Sequence, residues 1–198
     1  MEEKQLTPQE SVQMIEKMIE QTRKRLIRGA GVPCLIWGYV TLFTSFLIFF
    51  SYPYLGYKVN NLWMLIPILG GTISLIYKWK ARNEVYARTQ IDRFIDTTWI
   101  VVGLNVMAFS ILAYRVPLAI LSIVLILVGI ATAITGFSYK VTVLKYSSIF
   151  GMIVGYLLLI IPMRGGMMVL IFGITIFIMH CLPGHYLCYL ERKMLRNA

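Results

Sequence analysis

From Tyr146 to Tyr189 the chain runs YSSIFGMIVGYLLLIIPM, breaks at Arg164-Gly165-Gly166 and resumes as MMVLIFGITIFIMHCLPGHYLCY. Neither half carries an acidic residue. At about 1.5 Å per residue each half is long enough to cross most of a hydrocarbon layer about 30 Å thick. Backbone N–H and C=O groups find no water in such a layer, so each half has to be helical. The stretch reads as a transmembrane hairpin, and two earlier stretches repeat its pattern of span, short turn and span.

Composition agrees. Hydrophobic residues make up 58% of the 198 and charged residues only 14%, with a mean hydropathy of +0.72. That is too little charge to solvate a globular surface of this size. The net charge of +10 would point to nucleic acid in a soluble protein. Here it points instead to anionic lipid headgroups on the cytoplasmic side, with no nucleic-acid partner.

Residues 1–29 are polar and carry both signs of charge. Thr7-Pro8-Gln9-Glu10 has capping-box spacing with proline at the first helical position, which predicts a helix start. Val12, Ile15, Ile19, Thr22 and Leu26 then recur at steps of three and four, while Glu16, Lys17, Glu20 and Lys24 face elsewhere. This is an amphipathic cytosolic helix that rests on headgroups or docks a protein partner through residues 8–28. It is too acidic for a cleaved signal peptide and lacks a small-residue cleavage site, so the N-terminus is expected to stay on the protein.

The expected fold is all-α and integral to the membrane. Six transmembrane helices, at 30–54, 62–79, 97–114, 116–137, 147–163 and 167–189, form three hairpins within a domain over 30–190. A basic cytosolic tail, 191–198, follows. Pro117 is expected to open the fourth span after a very tight turn. The segment 81–96 reads as helical extensions that meet near Asn83. With the N-terminus inside, only Lys58, Arg115 and Arg164 of the nineteen Lys and Arg lie outside, and all nine acidic residues lie inside. Both termini are therefore expected in the cytoplasm of a multi-pass inner-membrane protein.

Three short patches, Leu35-Ile36-Trp37-Gly38, Ile91-Asp92-Arg93-Phe94 and Leu182-Pro183-Gly184-His185, are similar to patches in a group of uncharacterised bacterial inner-membrane proteins of this length. In the organisation of its spans the chain resembles the small six-span membrane proteins of the HdeD-like type. The resemblance implies a six-span bundle and carries no catalytic motif.

Residues with chemistry are few. No Asp, Glu, Lys or Arg falls in the central turns of any span, which argues against pumps, proton-coupled carriers and intramembrane aspartyl proteases. No Ser–His pair or nucleotide loop is evident, so no enzyme and no cofactor are expected. Asn105 is the one amide at depth, with interhelical hydrogen bonding as its expected role. His180, Cys181, His185 and Cys188 are four soft-metal ligand types within nine residues. Their spacing is not that of a zinc finger, and adjacent positions point about 100° apart on a helix. The expectation is no metal there, with Pro183-Gly184 ending or kinking the span and free thiols in a reducing compartment.

Ser147, Gly151 and Gly155 recur every four residues as a small-residue stripe on the fifth span. Gly129, Thr132, Ala133 and Gly136 offer a matching set on the fourth, so the two spans are expected to pack closely. The leading functional reading is a non-enzymatic integral membrane protein acting through partner proteins or as a homo-oligomer. The alternative is a small-solute permease or the substrate-binding subunit of a transporter.

Overall fold

A computed structural model describes residues 29–80, 90–161 and 165–196, together with Gln9 and 12–14. The amphipathic stripe beyond Val12, the meeting point near Asn83 and Arg164 lie outside the described residues. The described chain is helical, with no strand. Its elements are α1 (Gly31–Leu55), a 3-10 helix (Gly56–Met64), α2 (Leu65–Lys80), α3 (Gln90–Leu112), α4 (Ile120–Ser138), α5 (Thr142–Ile160), α6 (Gly166–Ile176), a π-helical turn (Phe177–Cys181) and α7 (Leu182–Arg196). Five helical stretches, Gly31–Lys80, Gln90–Leu112, Ile120–Ser138, Thr142–Ile160 and Gly166–Met194, are long and apolar enough to cross a membrane. The described chain is thus all-helical and compatible with a helical membrane protein.

The first of these stretches doubles back on itself. Gly56 takes φ 53°, a left-handed value that glycine adopts without a Cβ penalty. Beyond it the 3-10 helix and α2 return along α1. The Trp37 ring covers Gly70, and Gly29 lies beside the Tyr77 hydroxyl, so the start of α1 and the end of α2 share one end of the bundle.

The connection between α3 and α4 is longer than the sequence suggests. Tyr114, Arg115 and Val116 donate back to Ile111 and Leu112, residues 117–119 are non-helical, and α4 starts at Ile120. Pro117 therefore does not open the helix. A proline disfavours the α conformation at the residue before it, so Val116 cannot start the next helix, and α4 begins only at Ile120.

The α4–α5 turn is a Schellman motif. Val141 N–H donates to Gly136 O at 3.0 Å and Lys140 N–H to Phe137 O at 3.3 Å, with Lys140 at φ 54°. This tight closure starts α5 at Thr142, five residues before the stretch in which apolar residues predominate.

Packing places α2 and α3 at opposite edges. α2 packs on α1 and the 3-10 helix, α3 packs chiefly on α4, and the stretch from α6 to α7 lies between α1 and the α4–α5 pair. One core cluster joins Leu125, Leu158, Phe172, Ile176 and Met179, with Trp63 of the 3-10 helix laid against it. A second, of Val141, Leu144 and Leu187, closes the end near Glu191.

Candidate functional site: a buried histidine at a π turn

The polar centre of the bundle follows from one proline. Pro183 has no N–H to donate to the carbonyl four residues before it, Met179 O, and its ring crowds that turn. The helix responds by widening: Leu182 N–H reaches back five residues to Phe177 O. Ser147 Oγ of α5 donates to Met179 O at 3.4 Å, sharing its proton with Leu144 O at 3.2 Å. Pro183-Gly184 therefore neither ends the helix nor breaks it. The helix runs on to Arg196, because a π turn absorbs the missing bond and a neighbouring hydroxyl supplies part of it.

Gly184 allows the close approach that follows. Leu35 Cδ2 and Cys34 Cβ lie 2.8 and 3.2 Å from where its Cβ would stand. The same seam is lined by Gly31 against Cys188, Gly38 against Cys181 and Gly173 against Ser45. These pairs run in opposite directions along the two chains, so α1 lies antiparallel to the stretch from α6 to α7. Gly29 N–H donates to Glu191 Oε1 at 3.2 Å at the end of the seam.

His180 sits in the π turn at 4% exposure. Its Nε2 is 3.5 Å from Thr132 Oγ1, and the Trp99 ring meets its edge at 5.9 Å. The Thr132 hydroxyl donates to Val128 O at 2.8 Å, which leaves its oxygen free to accept from a ring N–H at Nε2. Among the described residues Nδ1 has no partner. Trp99 Nε1 donates to Thr135 Oγ1 at 3.2 Å, and that hydroxyl donates to Ala131 O at 2.8 Å. Three helices thus supply a polar patch in an apolar interior.

The four soft-ligand residues diverge. His180 faces Thr132 and Trp99, while Cys181 is buried against Gly38. His185 Nε2 bonds the Tyr39 hydroxyl at 2.7 Å on the outer side of α1, and Cys188 lies against Gly31. Among the described residues no three His, Cys, Asp or Glu side chains converge as metal ligands.

The small-residue stripe on α5 is shared between two neighbours. Gly155 faces Ser122, Leu125 and Ile126 of α4, and Gly129 faces Met152 and Ser148. Gly151 faces Met179, as does Ser147. Residues four apart drift by about 40° per step, so the two steps from Ser147 to Gly155 turn the stripe by about 80° and carry its two ends to different helices. Ala133 is partly buried on α4. Asn105 is exposed on α3, and its amide Nδ2 donates within the helix to Val101 O at 2.8 Å. The sequence pattern pointed to His180 and Thr132 but not to Trp99 and Thr135. Their common signal is a polar atom on the α4-facing side of α3 and the α3-facing side of α4.

Comparison with known proteins adds no relative: no family model, no curated protein and no solved structure matches this chain.

Proposed function

We propose that this chain is a six-span inner-membrane protein with both termini in the cytoplasm, and that it acts by association within the bilayer rather than by catalysis or transport. The single observation that carries the second half is the closed seam at its centre. A methyl group on Gly31, Gly38, Gly173 or Gly184 would stand 2.6 to 2.8 Å from a neighbouring atom. Helices this close leave no room between them for a solute.

The reading of six crossings is supported by the return of α2 along α1, which brings Tyr77 back to Gly29. It is supported also by charge. Lys78, Lys80, Arg93, Lys140 and Arg192 lie in segments near the end marked by Gly29 and Glu191, whereas Lys58 and Arg115 lie in the opposite turns. Reporter fusions after Ser138 and Ala198 are expected to read cytoplasmic, and those at Tyr57 and Gly165 external. A cytoplasmic reading at Gly165 would remove the last hairpin.

One observation favours the permease as second reading: the Nδ1 of His180, buried within the Thr132, Thr135 and Trp99 patch without a partner among the described residues. An intramembrane ionisable residue commonly marks a pathway. Liposome swelling with the purified chain separates the two readings. No solute-dependent swelling is expected, and swelling abolished by His180→Phe would establish the transport reading instead.

A further inference from the structure

The amide of Asn105 stands near the middle of α3, remote from both ends of the helix. It is exposed, and among the described residues its one hydrogen bond is that from Nδ2 to Val101 O. The amide carbonyl and one N–H are left facing outward. At mid-bilayer depth that side has no water, and an unpaired amide there is costly. The rest of the face is built for a helix. Thr98, Val101, Asn105, Ala108 and Leu112 follow alternating steps of three and four, within an arc of about 80°. This seam is distinct from the more buried side of α3, which carries Ile95, Trp99, Val102 and Val106 and from which Trp99 Nε1 reaches Thr135 of α4. Val101 is 51% and Leu112 44% exposed, and Ala108 is exposed and small.

We propose that this seam of α3 is a homodimer interface, in which Asn105 of one copy pairs with Asn105 of a second. The proposal rests on the reading of the chain as a membrane protein that acts by association, and it names the partner and the surface. Three physical arguments select a second copy over another protein. A carboxamide is both donor and acceptor, so it is complementary to itself. Two copies inserted with the same topology are related by a two-fold axis along the membrane normal, which sets identical residues at identical depth. A single amide at such a seam position is also the device by which paired helices specify register and number.

The test uses the full chain with Cys34→Ala, Cys181→Ala and Cys188→Ala, reconstituted in liposomes and oxidised with copper phenanthroline. Val101→Cys and Ala108→Cys are expected to give a disulfide-linked dimer, while Leu104→Cys and Ile111→Cys on the neighbouring face are not. Adding Asn105→Val is expected to lower the dimer yield about fivefold, and Asn105→Gln to retain most of it. Equal cross-linking on both faces would overturn the proposal, as would a yield indifferent to Asn105→Val or a cross-link formed in cells only to a different polypeptide. Sedimentation equilibrium of the otherwise wild-type chain in mild detergent guards against misfolding of the thiol-free background. There Asn105→Val is expected to raise the dimer dissociation constant about fivefold, and an unchanged constant would overturn the proposal. A monomer of unchanged topology would end this inference alone. Solute flux through the liposomes would end the broader reading whatever the oligomeric state.

Discussion

Ser147 Oγ on α5 donates to the carbonyl of Met179 across the helix interface, at 3.4 Å. That carbonyl is the one Pro183 cannot serve. The contact ties the π turn to α5 and holds Met179 over Gly151, where Sδ occupies the position a Cβ would take. It is a small bond, since interhelical hydrogen bonds in lipid average below 1 kcal/mol. Ser147→Ala is expected to destabilise the bundle by about 0.5–1 kcal/mol, read by SDS-induced unfolding in mixed micelles. No change would mean that the hydroxyl serves Leu144 O alone.

The seam between α1 and the α6–α7 stretch predicts position-specific intolerance to a single methyl group. At Gly38 an added Cβ would meet Cys181 Sγ at 2.6 Å and His180 Cβ at 3.0 Å. The backbone N of Cys181 is 3.3 Å away and cannot swing aside as a side-chain tip can. Gly38→Ala is expected to cost about 1–3 kcal/mol. Gly71 and Gly103 have nothing within 4 Å, so Gly71→Ala and Gly103→Ala are expected to be neutral or slightly stabilising in the same assay. A uniform response at all three positions would refute the seam.

Lys140 occupies the left-handed position of the Schellman motif at φ 54°, where glycine is free of the Cβ clash. Lys140→Gly is expected to stabilise the α4–α5 hairpin by about 0.5–1 kcal/mol, the left-handed penalty of a side chain less the extra chain entropy of glycine. A raised melting temperature checks it. A lowered one would show that the lysine makes a compensating contact with headgroups.

Tyr139, in the same turn, carries a pH dependence. Burial, then the charges of Asp92 and Asp96 and a hydrogen bond to Asp92, push its hydroxyl above the ordinary value of 10.0. A group whose folded pKa is raised contributes stability that is fully present below its unfolded pKa and is lost as pH rises beyond it. The fold is therefore expected to weaken above about pH 10, and Tyr139→Phe should flatten that limb of the profile. An unaltered alkaline limb in Tyr139→Phe would assign it to other groups.

The spans were legible because crossing a bilayer is a one-dimensional property. Runs such as Ile123 to Val128 are apolar at every position, and no arrangement of neighbours changes that. The polar centre was only half legible. His180 and Thr132 are visible as polar residues inside spans, but the meeting of Trp99, Thr132 and His180 depends on three helices separated by more than thirty residues each in the chain. Asn105 shows the limit most clearly. Its depth could be read, but that its amide faces outward from α3 rather than into the bundle could not.

Helices long and apolar enough to cross a membrane can be read from residue order, because hydrophobic length and the absence of charge are summed along the chain. That α1 lies against the α6–α7 stretch, that Gly151 turns to Met179 while Gly155 turns to α4, and that Pro183 makes a π turn instead of a helix end emerge only from packing. The physical reason is that lipid tails are as apolar as leucine, so no face of a span is marked as interior by hydrophobicity. Which face packs is set by small residues, single hydroxyls and helix rotation, and each residue added to a helix turns that choice by about 100°.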